Sequence, residues 1–153
     1  AGGGDAGGGL CRRHRDRLVA VSRFLAAAPL TIAAWKRADG TPIWITSEPF
    51  AFQLGDESGP VFEVERGFET DLGSIPRLVR AIWNPSNPRC ARAYVLHDKI
   101  NALTAQRPPG PGVWSSHLAA AVLYEALTFD GEPAWSRKAQ FFGICFGIAK
   151  AEW

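Results

Sequence analysis

The stretch GFETDLGSIPR, residues 67–77, is where the chain changes its period. Ahead of it Phe62, Val64 and Phe68 alternate with charged side chains, the two-residue repeat of a strand with one buried and one wet face. Behind it Ile75–Pro76 opens IPRLVRAIW, and a Pro suits the first turn of a helix. Gly73–Ser74 supplies the tight corner between the two, with Ser74 placed as a helix cap. The corner therefore divides the chain into a sheet-forming part and a helical part. The predicted fold class is α+β: a small N-terminal antiparallel sheet of roughly three to five strands, packed against about three or four C-terminal helices and preceded by an N-terminal helix.

Upstream, TIAAWKR (residues 31–37) and TPIWIT (41–46) flank ADG, a tight-turn sequence, and predict a hairpin. FAFQL (50–54) and VFEVERGFET (61–70) flank GDESGP and predict a second. Downstream, NPSNP (84–88) breaks the first helix. A second runs from about Pro88 to Leu103 and is ended by RPPGPG. SSHLAAAVLYEALTF (115–129) is the third, with Ser115 or Ser116 as N-cap and Gly131 near its end. Pro133 opens the last, where Gly143, Gly147 and the surrounding Phe and Ile residues make a helix apolar nearly all round. Such a helix is either central to the core or presents a face to a neighbouring subunit. Its longest apolar run, Phe141 to Ala149, is about half the ~20 residues a membrane span needs.

Residues 1–10, AGGGDAGGGL, read as a flexible arm that orders only against a partner. Residues 11–28 read as an amphipathic, Arg-rich helix stopped before Pro29, with Leu18, Val21 and Leu25 at helical spacing. Arg23 interrupts the apolar stretch and argues against a secretion signal. Residues 29–153 then form a single α+β domain. With no Met in the chain, Ala1 is not a start-codon product, so an initiator was removed or an upstream segment is missing.

Composition narrows the function classes. An apolar content of 46%, with six Trp and nine Phe, describes a packed globule rather than a disordered chain. Four Arg (Arg12, Arg13, Arg15, Arg17) against Asp5 and Asp16 account for the net charge of +2. The balanced remainder gives no electrostatic reason to bind nucleic acid or an anionic membrane. Cys11, Cys90 and Cys145 are far apart and lack metal-ligand spacing, so they read as reduced, small apolar residues.

The residues most like chemistry are His97 and Asp98 in YVLHDKIN, residues 94–101. Helical neighbours point about 100° apart, so each needs its own partner, with Tyr94 and Asn101 on the His97 face. A satisfied polar pair and a catalytic pair both fit that spacing. Asp71 and Ser74 at the strand-to-helix corner suit a polar-substrate site, and equally suit a corner in which Arg77 pairs with Asp71. The expected arrangement is a structural polar cluster of Asp71, Ser74, Arg77 and His97.

GFETDLGSIPR followed by AYVLHD resembles the family known as domain of unknown function 1353, found in tailed phages and prophages. Gly67, Phe68, Thr70, Asp71, Ser74, Ile75, Pro76, Arg77, His97 and Asp98 carry the resemblance, over roughly residues 60–150. It implies a phage origin and no established reaction. The His-Asp helix is also loosely similar to the active-site helix of secreted phospholipases A2. That likeness implies His97 as a base and Asp98 as a calcium ligand. Asn101 stands where the first family's pattern has Tyr, and Ala120 where it has an acid on the next helix. A His base without a carboxylate to orient it loses much of its rate.

The expectation is therefore a non-catalytic, virion-associated structural protein of the tail or tail tip, made in the host cytoplasm. It needs no cofactor and no metal, and its partners are other virion proteins or copies of itself. The alternative is a hydrolase acting on lipid or cell envelope, with His97 as general base and Asp98 and Asp71 beside it. A nucleic-acid-contacting factor relying on Arg12 to Arg17 would need more positive charge than the body carries.

Overall fold

The computed structural model describes residues 21–25, 30, 32–40, 42–72, 90–106 and 115–151. Along the chain these form β1 (Arg23–Phe24), β2 (Ile32–Lys36), β3 (Pro42–Thr46), β4 (Phe50–Gln53), β5 (Val61–Val64), β6 (Glu69–Thr70), α1 (Ala91–Ala105), α2 (Ser116–Phe129) and α3 (Ala134–Ala151). The architecture is α+β, with strands first and helices last. The strands make two antiparallel sheets of three, ordered β1-β4-β5 and β2-β3-β6.

Both hairpins close as their turns predict. β2 and β3 pair from Ile32↔Thr46 to Lys36↔Pro42, and Gly40 takes φ 83°, a left-handed conformation that Gly adopts at little cost. β4 and β5 pair from Phe50↔Val64 to Gln53↔Val61. Their loop is held by Asp56, whose carboxylate accepts from the Ser58 N–H at 2.9 Å and its hydroxyl at 2.6 Å.

The run VFEVERGFET does not stay in one sheet. Gly67 (φ 84°) breaks it, and the chain leaves β5 to join β3 as β6, with Trp44↔Thr70 and Ile45↔Glu69 as partners. Thr46, 1% exposed, fixes this crossing. Its hydroxyl donates to the Glu65 carbonyl at 2.7 Å and accepts from the Phe68 N–H at 2.9 Å. Its backbone accepts from Gly67 N–H and donates to Phe68 O, at 2.8 and 3.1 Å. Alternation alone cannot reveal that consecutive strands belong to different sheets, because both keep period two.

The helix expected over 11–28 fails where it is described. Residues 21–25 are extended, and Arg23 and Phe24 pair with Gln53 and Phe52. Ser22 and Phe24 point inward, whereas Val21 and Leu25 are 62% and 49% exposed. Val21 and Leu25, read at helical spacing, are thus outward-facing residues of an extended segment. The rest of that helix, the arm 1–10 and the helix from Pro76 lie outside the described residues.

The C-terminal helices follow their signals. Ser115 caps α2, accepting from the Leu118 N–H at 3.1 Å. Gly131 (φ 76°) closes its other end, where Glu132 N–H reaches Leu127 O at 2.9 Å and Gly131 N–H reaches Thr128 O at 3.1 Å. α1 lies between α2 on one side and strands β5 and β6 on another. Phe52, Phe62, Val64, Leu72, Val95, Leu96, Ile100, Val122, Leu123 and Leu127 form the core there. α3 is not central: Ser136 and Gln140 are buried, while Trp135, Phe142 and Phe146 are each about two-thirds exposed. The reading of a core-central helix does not hold: the helix packs on the core through Ile144 and turns Trp135, Phe142 and Phe146 outward.

Thr46→Val keeps the shape and leaves the Glu65 carbonyl and Phe68 N–H without that partner. These two groups keep their own 3.4 Å bond to each other, so the expected loss is about 1–3 kcal/mol in all, read as a lower denaturation midpoint at unchanged m-value.

Candidate functional site

The strand end and α1 meet at Thr70, 3% exposed. Its hydroxyl accepts from the Leu72 N–H at 2.9 Å and donates to Asp98 Oδ2 at 2.5 Å. Leu72 takes φ 60°, unusual for a branched side chain, and is 1% exposed. The left-handed turn drives Leu72 into the core, and the Thr70–Asp98 bond holds the segment that makes it. Lys99, next along α1, donates to both oxygens of Glu65 at 2.6 and 2.8 Å and lies 5.2 Å from the Phe68 ring centroid. The Lys99 hydrogen bond holds the Glu65 carboxyl below its ordinary value of 4.5. Asp98 and Lys99 thus grip the same β5–β6 crossing.

His97 sits one position back on α1, 9% exposed. Its Nδ1 is 3.5 Å from Asp98 Oδ1, and the Asn101 amide nitrogen is 3.3 Å from Nδ1 and 3.2 Å from Nε2. Both contacts are served when Nδ1 carries the proton toward the carboxylate and Nε2 accepts from the amide. Asn101, in the position of the family's Tyr, is therefore a direct partner of His97. Ala120, in the position of the acid, is fully buried on α2.

Of the expected cluster, His97 lies on α1 with Asp98 and Asn101 as its side-chain contacts, and Asp71 is exposed at the strand end. The bond from strand end to helix runs from Thr70, next to Asp71, to Asp98, next to His97. Ser74 and Arg77 lie outside the described residues. Thr70 is one of the residues that carry the family resemblance, but its position in the sequence does not mark it as the partner of Asp98.

Two further networks at the start of α1 were not foreseen. Tyr94 donates to Gln140 Oε1 at 2.6 Å, Gln140 donates to Ser136 Oγ at 3.1 Å, and Ser136 donates to Glu132 Oε1 at 2.6 Å. Cys90 Sγ donates to the other oxygen of Glu132 at 3.3 Å. Burial, then the nearby Cys90 and Glu132, push the Tyr94 phenol well above its ordinary value. The second network is an ion pair between Arg92 and Asp130, whose side chain is 2% exposed. Burial raises the Asp130 carboxyl against the opposing pull of Arg92. Cys90 and Cys145 are free thiols. Among the described residues, no group of three or more His, Cys, Asp or Glu side chains is disposed to hold a metal ion.

An α+β fold whose strand-end motif is bolted to a His-Asp helix is the class these features define. The family model described as "Protein of unknown function (DUF1353)" matches residues 44–144, well over half of the chain. The chain belongs to this family. No curated protein and no solved structure matches it.

Thr70→Val and Asp98→Ala should each lower stability by about 1–3 kcal/mol, and the double variant should lose less than the sum. Equilibrium unfolding of the four proteins measures the coupling directly. A second expectation concerns pH. Because the Glu65 carboxyl is depressed in the folded state, its contribution is present above 4.5 and lost as pH falls through the folded value. Lys99→Met should therefore flatten the acid side of the stability profile while leaving its neutral-to-alkaline shape unchanged.

Proposed function

We propose that this chain is a non-catalytic structural component of a phage virion, in the tail or tail tip. One observation carries the reading: the polar groups of the two motifs are engaged with each other. Asp98 is bonded to Thr70, and His97 is enclosed beside Asp98 and Asn101. A carboxylate that must reach an ion would have to give up the Thr70 hydroxyl that holds the Leu72 turn. The resemblance to a phage and prophage family supplies the setting. The outward Trp135, Phe142 and Phe146 of α3 supply apolar surface of the kind assembly contacts use. The partners are other virion proteins or further copies of this chain, the body contacts no nucleic acid, and synthesis is in the host cytoplasm.

A hydrolase acting on lipid or envelope is the second reading, favoured by one feature. Leu72 holds a strained conformation beside a His-Asp pair, and strain of that kind collects at working sites. Two measurements separate the readings. Mass spectrometry of purified particles should find the chain at fixed stoichiometry. The purified protein should turn over neither ester nor phospholipid substrates with Ca²⁺ or Zn²⁺ present. Turnover that disappears in His97→Ala would establish the hydrolase instead.

A further inference from the structure

The short strand β1 occupies a slot built wholly from other parts of the chain. Phe24, 7% exposed, enters an aromatic pocket with ring centroids 4.8 Å from Phe52, 5.9 Å from Phe50 and 5.6 Å from Phe129. The Arg92 guanidinium caps it, 3.9 Å from the ring centroid. Ser22 donates to Glu125 Oε2 at 3.2 Å and accepts from the Gly55 N–H at 2.9 Å. The Arg23 guanidinium reaches Gln53 Oε1 at 3.2 Å and Glu57 at 3.5 Å. Backbone pairing along β4 is completed by Leu25 N–H to Ala51 O at 2.9 Å. Each inward position of the strand thus has a dedicated receptor.

The receptor and its occupant differ in one respect. Every slot residue lies within 44–144, the region matching the family model, whereas residues 21–25 lie before it. The slot lies within the matched region, and the plug lies before it. Only two residues of β1 are in register with β4, so release of the plug is a local opening rather than unfolding. Six residues, 26–31, join it to β2, and Pro29 is among them. A short Pro-containing joint between a small element and the rest of the domain is an arrangement in which copies can trade strands.

We propose that the β4 edge is an exchangeable strand-binding site, and that in the assembled state it takes residues 21–25 of a second copy. The bound chemistry is the one displayed within the single chain: a hydroxyl, a cation and an aromatic on successive positions of an extended segment, joined by β-augmentation. The inference rests on the slot alone and stands or falls apart from the virion reading.

The test uses full-length chains in a Cys11→Ser, Cys145→Ala background, leaving the buried Cys90. One chain carries Arg23→Cys and the other Gln53→Cys, positions that are direct cross-strand partners and within disulfide reach. Mixed and oxidised, the two should form a disulfide-linked heterodimer joined between positions 23 and 53. Phe24→Ala in the donor chain should cut its yield by roughly tenfold or more. A single chain carrying both cysteines reports the slot itself. If it closes internally while the mixed chains stay unlinked, exchange is refuted. If it forms neither linkage, the strand does not occupy the slot and the proposal fails as well. A heterodimer insensitive to Phe24→Ala would be collisional and would equally overturn it.

Discussion

A hydroxyl with one N–H to accept and one carboxylate to reach sets the geometry of the centre of this fold. Thr70 ends the β2-β3-β6 sheet, and a chain leaving a sheet edge has many directions open to it. Accepting from Leu72 N–H selects one of them, a left-handed turn that a branched residue would not adopt alone. Donating to Asp98 then ties that turn to α1. The gain is the burial of Leu72 to 1% exposure between sheet and helix. Thr46 repeats the device one strand over, donating to one backbone carbonyl and accepting from one N–H to hold the crossing from β5 to β6. Two threonines thereby convert a continuous run of strand-forming residues into two sheets that face one helix.

That constraint bears on what His97 and Asp98 can do. α1 carries its polar side chains in two groups. Cys90, Arg92 and Tyr94 bond to α3, the end of α2 and the turn between them, while Asp98 and Lys99 bond to the β5–β6 segment. Each group fastens the helix to a different neighbour, so the helix works as a pin through the domain. Withdrawing Asp98 to serve a substrate would unfasten the sheet side and leave the Thr70 hydroxyl to find another acceptor in a nearly dry site. A buried donor without an acceptor is expensive, which opposes any cycle that needs Asp98 in two places.

Much of this was legible in the sequence because it is local. Turn residues at Asp39–Gly40 and over Gly55–Pro60 located both hairpins, and Ser115, Gly131 and Pro133 bounded α2 and opened α3. The His97–Asn101 contact followed from helical spacing. What was not legible depends on partners distant in the chain. Thr70 and Asp98 are separated by 28 positions, Tyr94 and Gln140 by 46. Nothing in either neighbourhood marks such residues as paired. The N-terminal segment misled for a different reason: Leu18, Val21 and Leu25 satisfy a helix, but Ser22 and Phe24 satisfy a strand with a receptor waiting. Tertiary context outweighs local propensity when an aromatic pocket and a guanidinium are already in place.

The polar bonds and the exposed apolar groups of this chain divide the work between them. Hydrogen bonds between the motifs specify a single arrangement of sheet and helix. Such bonds are directional, so they fix geometry more than they add net stability. Apolar contacts are non-directional and stabilise in proportion to area, which suits surfaces that meet only in an assembly. Trp135, Phe142 and Phe146 on α3, with Trp35 on β2, are left outside by the same packing that closes the core over Leu72 and Ile100. The hydrogen bonds between sheet and helix fix the domain's own shape, and the outward aromatics are the surface on which the proposed assembly contacts would form.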